Sequence, residues 1–233
     1  SPRYSFLVPR SFPRKPMITL SVLDQSPISS GGTASAAIAE TVELAQATER
    51  FGYGRYWLAE HHSSGGLAST APEILISHIA SLTDTIRVGA GGVMLSHYSS
   101  LKVAETFRML ETLFPGRIDL GIGRAPGSDR RTAGALQHGP GALGMEYFPN
   151  RIADLIAFVE DRLEPDHSFA GVRAMPVGPS TPELWMLGSS DQSAALAAHF
   201  GCSFSFAHFI NDRGGPEVMQ SYFSSFRPSD NRE

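Results

Sequence analysis

Arg117–Asp129 reads RIDLGIGRAPGSD, and the reading of this run decides the fold. Ile118, Leu120 and Ile122 make a buried strand. Gly121 and Gly123 let another backbone or a ligand come close. Arg124 stands where the strand ends, and Pro126 and Gly127 turn the chain away. A strand that finishes in glycines and a single cation is a common way to build an anion site.

Outward from this strand the chain alternates. Apolar runs that read as strands lie upstream at Ile18–Leu23, Tyr56–Ala59 and Ile86–Leu95, and downstream at Leu184–Leu187 and Cys202–Phe206. Between them the spacing predicts helices. One runs to Phe51 from a Thr33 or Ser35 cap. The next runs to Leu82 from a Ser69 or Thr70 cap, with Pro72 in its first turn. Others cover Leu101–Phe114, Arg151–Leu163, the alanines of 194–198 up to Gly201, and Pro216–Phe226. The stretch 128–150 is expected to be a long glycine-punctuated segment over the mouth of the site. Strands alternating with helices imply parallel pairing, and nearly continuous apolar strands imply that both sheet faces are covered. Two α/β architectures satisfy this: a doubly wound open sheet and a TIM-type (β/α)8 barrel. Both bind ligands beyond the C-terminal ends of the strands, where the polar residues and glycines gather here.

Composition narrows the function classes. A net charge of −4 supplies no basic face, so nucleic acid is not an expected partner. The single cysteine, Cys202, excludes an internal disulfide and suits a reducing compartment, with the cytoplasm as the expected location. It opens an apolar strand with no base beside it and reads as core. No apolar run approaches the roughly 18 residues of a membrane span. Residues 1–16, SPRYSFLVPRSFPRKP, are arginine-bearing and acid-free, as transit peptides are, but too rich in proline for an amphipathic helix. They are expected to be a disordered leader ahead of one domain over 17–233.

Several motifs carry candidate chemistry. Gly121, Gly123 and Gly127 imitate a dinucleotide fingerprint, but the last interval is one residue too long and the strand is the fourth, not the first. Packing between strands is the alternative reading of these glycines, and an ion pair with Asp129 is the alternative for Arg124. Gly188–Ser193 places Ser189, Ser190 and Ser193 at the start of a helix, where free amides and the helix dipole favour an anion; Ser190 or Asp191 acting only as a cap is the alternative. Glu60, His61 and His62 end the second strand. Neighbouring strand residues face opposite ways, so at most one histidine points into a site, and no metal is expected. General acid–base work suits His61. Gly89, Gly91 and Gly92 are costly in a strand unless a flat ring or a bulge lies there. His97 and Tyr98 follow and could line the same mouth.

Four stretches in this order, TLSVLDQSPI (19–28), GYGRYWLAEHH (52–62), the run from Ile86 to Asp129, and ELWMLGSSDQSAALAAHFG (183–201), resemble the bacterial luciferase-like flavin-dependent monooxygenases over most of Ile18–Arg227. The resemblance implies an eight-stranded barrel holding FMN non-covalently. Reduced flavin from a separate NAD(P)H-dependent reductase reacts with O2 there, and a small organic substrate such as an aldehyde is oxygenated. A homodimer is also implied. Residue by residue, His61 matches the catalytic histidine, and Glu60 matches the glutamate before it, which the resemblance places among the cofactor-binding positions. Gly91 and Gly92 match the pair whose peptide, often cis, lies against the flavin ring. Arg124 matches the phosphate-binding arginine, and Leu187, Ser189, Ser190 and Ser193 match the remaining phosphate-side positions. At Ser189 the luciferase catalytic subunit is acidic, so that match is positional. Family members continue through two further strands, whereas six strand–helix units are countable here, so the expected architecture is a barrel lacking its last two units. A deazaflavin (F420)-dependent oxidoreductase of the same superfamily and a non-catalytic flavin-binding relative are the alternatives.

Overall fold

A computed structural model of the chain describes residues 18–124, 129–137 and 144–229. The expected leader and the turn at Pro126 and Gly127 lie outside them. Six strands alternate with helices: β1 (Ser21–Asp24), α1 (Ala34–Arg50), β2 (Arg55–Leu58), α2 (Pro72–Ser81), β3 (Arg87–Met94), α3 (Ser100–Leu113), β4 (Ile118–Gly123), α4 (Arg130–Leu136), α5 (Phe148–Val159), β5 (Glu183–Gly188), α6 (Asp191–His199), β6 (Ser203–Phe206) and α7 (Gly215–Ser225). Among the described residues no helix is long and apolar enough to cross a membrane.

All neighbouring strands pair in parallel, in the order β1-β2-β3-β4-β5-β6. A doubly wound sheet reverses its strand order at a switch point. This one never does, and that removes the open-sheet alternative. The sheet is instead curled into part of a barrel. Trp57 on β2 and Trp185 on β5 meet edge to face with ring centroids 5.1 Å apart. In a flat sheet, strands three places apart are separated by about 14 Å. Only a concave face brings those side chains together.

Alternation along each strand sorts residues between two surfaces. Tyr56, Leu58, Val88, Ala90, Ile118, Leu120, Ile122, Leu184, Met186 and Phe204 share one buried cluster with Ile76, Ile79, Phe107, Ile152 and Leu155 of the helices. Each fully buried aliphatic side chain contributes about 1.5–3 kcal/mol, so this layer is the main stabilising element. The opposite face carries Trp57, Asp119 and Trp185. Asp119 is fully buried and accepts from Arg55 Nε (3.0 Å), Trp57 Nε1 (2.8 Å) and Arg87 Nε (2.7 Å). Burial raises the Asp119 pKa, and Arg87, Trp57 and Arg55 oppose that rise. Arg55 also grips Glu183 on β5 (2.7 Å) and lies over the Trp185 ring at 4.9 Å. This charged plug bridges β2, β3, β4 and β5 near their N-terminal ends.

Several expected boundaries shift for physical reasons. β1 runs through Asp24 because the buried carboxylate is satisfied by the hydroxyls of Thr41 (2.8 Å) and Tyr56 (2.6 Å) and by the Ser26 amide (2.8 Å). Thr33 caps α1 as expected, but Ala71 rather than Ser69 or Thr70 occupies the N-cap of α2. Pro72 at its first turn makes a side-chain cap less necessary, since one amide donor is missing there. The stretch expected as a long loop holds α4, nucleated by Asp129, whose carboxylate accepts from the Arg131 and Thr132 amides. α5 ends at Val159, earlier than periodicity suggests, because the buried Arg108 guanidinium takes the carbonyls of Phe158 (3.2 Å) and Val159 (2.8 Å). Cys202 is buried in the core, as read.

Candidate active site at the C-terminal ends of β2 to β5

The chain beyond β2 carries Glu60, His61 and His62. Glu60 is 3% exposed and its carboxylate is surrounded by protein donors. Oε1 accepts from the Tyr98 hydroxyl (2.6 Å) and lies 2.7 Å from His62 Nε2, while Oε2 accepts from the Met94 amide (3.0 Å). His61 is half-buried. Its backbone N–H donates to the Ser69 carbonyl (3.0 Å), but its ring Nδ1 is buried with no hydrogen-bond partner. Burial lowers the His61 pKa; Glu60 opposes this and His62 adds to it. The imidazole is therefore neutral at neutral pH.

β3 supplies a stretch without side chains. The Gly91–Gly92 peptide is cis, and the register with β4 shifts between Ala90 and Val93. A Cβ at Gly91 would fall 2.7 Å from Leu23 Cδ1 and 3.0 Å from Trp57 Cβ; one at Gly92 would fall 2.8 Å from the Gly121 carbonyl oxygen. A Cβ at Gly89 would overlap Asp119, so this glycine makes room for the carboxylate to reach Trp57. Strand packing and a bulge thus both account for glycines here. Gly121 is equally tight against Ala90 and Leu187, whereas nothing lies within 4 Å of a Cβ at Gly123. Open space begins at that last residue of β4.

Arg124 follows at once. Its guanidinium donates to the side-chain oxygen of Gln192 in the first turn of α6. Asp129, the alternative partner in sequence, is occupied at the start of α4. Ser190 is the N-cap of α6, with its hydroxyl accepting from the Ser193 amide (3.4 Å) and lying 3.2 Å from Ser193 Oγ. The capping alternative is therefore realised for Ser190. Ser193 is buried beneath Gly188, where a Cβ would overlap it. The Ser189 carbonyl accepts from Asn211 Nδ2 (3.2 Å), and Leu187 is in register with Gly123. The first amides of a helix have no intrahelical acceptor, and Arg124 sets a cation beside that end of α6, where Ser190 already takes the Ser193 amide.

The residues singled out from sequence therefore gather at one end of four adjacent strands. Gln192 and His62 also belong to this end, and sequence reasoning gave them no role, whereas Tyr98, expected to line the mouth, instead binds Glu60. The period-two rule that separates His61 from His62 also places His62 beside Glu60, and that signal was available. Nothing local pairs Gln192 with Arg124.

The fold and this arrangement define a parallel barrel-type α/β protein with an arginine beside a helix N-terminus and a half-buried histidine at the strand ends. A family model described as luciferase-like monooxygenase matches residues 18–222, and the chain belongs to that family. It is 52% identical over 213 residues to the uncharacterized protein YceB of Bacillus subtilis (strain 168), covering 91% of this chain and 64% of that protein. It is 45% identical over 210 residues to the N-acetyl-S-alkylcysteine monooxygenase of the same organism, covering 90% of this chain and 62% of that enzyme. Among solved structures it is similar to apo-MsnO8, with a TM-score of 0.84 and 42% identity, covering 92% of this chain and 63% of that one. The chain thus spans less than two thirds of the length of these relatives.

Proposed function

We propose that the chain carries the flavin-binding and catalytic face of an FMN-dependent monooxygenase that oxygenates a small organic substrate with reduced flavin and O2. The observation that carries this reading is the Arg124–Gln192 hydrogen bond, which sets the β4 cation at the N-terminus of α6, on the rim that also bears His61. The residues suit the group. The partnerless Nδ1 of His61 awaits a polar contact, and space opens at Gly123 beside Arg124.

In this reading Arg124 and the first amides of α6 hold the FMN phosphate, with Ser189, Ser190 and Ser193 shaping that turn and Leu187 beneath it. Gly91 and Gly92 face the ring system. Bound reduced flavin supplies the electrons that activate O2. His61, kept neutral by burial, accepts a proton at Nδ1 or orients the substrate through it. Glu60 holds the strand ends that carry these groups. A separate NAD(P)H flavin reductase supplies the reduced cofactor, and the protein acts as a homodimer. Aldehydes and thioethers are the substrates to try, the latter because one relative is named for an S-alkylcysteine.

The test titrates the protein with FMN and with F420 by fluorescence. Reduced FMN and 18O2 are then supplied with an aldehyde or an N-acetyl-S-alkylcysteine. FMN binding with one labelled oxygen in the product is the expected result. Tight F420 binding without FMN binding would replace this reading with the deazaflavin oxidoreductase. FMN binding without labelled product would leave a non-catalytic flavin protein.

A further inference from the structure

Tyr98 reaches this site through Glu60, a residue expected to serve the cofactor whose carboxylate is instead occupied by the protein's own donors: the Tyr98 hydroxyl makes one of the shortest hydrogen bonds at this end of the sheet, 2.6 Å to Glu60 Oε1. We propose that Tyr98 and His62 are positioning residues for His61, acting through the buried Glu60 carboxylate. The inference rests on the functional reading above for the role of His61, but its structural half does not depend on flavin.

Both oxygens of Glu60 are taken by this chain's own donors. Tyr98 and His62 converge on Oε1, and the Met94 amide binds Oε2. A carboxylate so satisfied is a good tie between the elements that bind it. Met94 ends β3, two residues beyond Gly92, so Glu60 fastens the end of β2 to the end of β3. On its other side, the His61 amide is fastened to the Ser69 carbonyl (3.0 Å). The backbone on either side of the histidine is thus held.

Tyr98 is itself held from a third direction. Arg151, near the start of α5, donates from one guanidinium nitrogen to the carbonyls of Leu95 (3.3 Å), Ser96 (3.0 Å) and Tyr98 (3.1 Å). Gln137, just past α4, adds a hydrogen bond to the Ser96 carbonyl (2.9 Å). The Leu95–His97 turn is therefore clamped, and the phenol is presented to Glu60 on a rigid support. Tyr98 keeps its proton, since burial and then the Glu60 carboxylate push its pKa up.

Proton placement follows. To donate to a carboxylate, the His62 ring carries a hydrogen on Nε2, so Glu60 selects that tautomer. Tyr98 supplies the second donor to Oε1, and its hydroxyl oxygen lies 3.3 Å from His62 Nε2. The two histidines divide their work: His62 serves the frame, and His61 is left with a partnerless nitrogen.

The experiment uses nitrogen-15 NMR on the flavin-free protein and kinetics on the FMN-loaded one. In the wild type, His62 is expected as the Nε2–H tautomer with an exchange-protected, downfield ring proton. That resonance is expected to broaden in Tyr98→Phe and vanish in Glu60→Gln. Tyr98→Phe is expected to leave the FMN Kd within roughly threefold and to lower kcat about ten- to hundredfold with KM little changed, as misplacement of a reacting group does. An Nδ1–H tautomer in the wild type would overturn the proposal without any variant. So would Tyr98→Phe with wild-type kcat and an unchanged His62 proton. If the wild type binds FMN but oxygenates nothing, the functional reading fails while the NMR result still decides the frame.

Discussion

The guanidinium of Arg124, at the end of β4, donates to the side-chain oxygen of Gln192 in the first turn of α6. The bond links residues 68 apart in sequence and places a cation where helix amides already face outward. Gln192 is neutral, so it holds the arginine without cancelling its charge. Arg124→Ala is expected to weaken FMN binding about ten- to hundredfold, or about 1.4–2.8 kcal/mol, as befits a lost charge-assisted contact. Gln192→Ala is expected to change it by less than about threefold. Fluorescence titration checks both, and unchanged affinity in Arg124→Ala would remove the phosphate role.

His61 sets the pH dependence. Burial lowers its pKa, so the neutral ring persists to a lower pH than an ordinary imidazole does. A reaction that needs neutral His61 should be flat through neutrality and fall only below the ordinary histidine range. The folded state also binds fewer protons at this ring than the unfolded state, so stability begins to fall as pH drops below the unfolded value and goes on falling until pH passes the lower folded one. His61→Gln is expected to abolish that acid limb and to reduce kcat about a hundredfold or more. Profiles of kcat against pH for both proteins make the comparison, and an acid limb surviving in His61→Gln would assign it to another group.

Two glycines of β4 should behave oppositely. A Cβ at Gly121 would overlap the Ala90 carbonyl oxygen, which is backbone and has little freedom to move, whereas a Cβ at Gly123 meets nothing within 4 Å. Gly121→Ala is expected to cost about 1–3 kcal/mol, and Gly123→Ala less than about 0.5 kcal/mol. Urea unfolding of the two variants measures the difference. Equal losses would mean that β3 and β4 do not approach as closely as this register requires.

Asp119 should matter more than any exposed ion pair. It is fully buried and binds two arginines and an indole, while the Arg173–Asp161 pair has the arginine side chain 56% exposed. Asp119→Ala removes the buried partner that Arg55 and Arg87 share, leaving them only the partly exposed Glu183, and is expected to cost about 3–5 kcal/mol. Asp161→Ala is expected to cost less than about 1 kcal/mol, because solvent screens the pair. Chemical denaturation ranks them, and a reversed order would show that the plug is not a stabilising element.

Much of this was legible locally. Strand–helix alternation, the Thr33 cap, the buried Cys202 and the concentration of glycines at strand ends are properties of neighbouring residues, and periodicity reports them directly. α4 was hidden because the glycines around it outweighed its one cap, Asp129. The end of α5 was hidden because the residue that stops it, Arg108, lies on another helix.

By itself, then, the sequence determined a parallel α/β chain with a cation after its fourth strand and histidines after its second. These follow from local hydrophobic period, turn chemistry and residue type. Periodicity alone left an open sheet and a barrel as equals, because both share the same local pattern; the motif resemblance pointed to the barrel, and strand order and curl in the tertiary structure removed the open sheet. It also decided that Arg124 belongs with Gln192, and Glu60 with Tyr98 and His62. Parallel register brings together strand ends separated by a whole helix, and no local signal records which side chains will then meet.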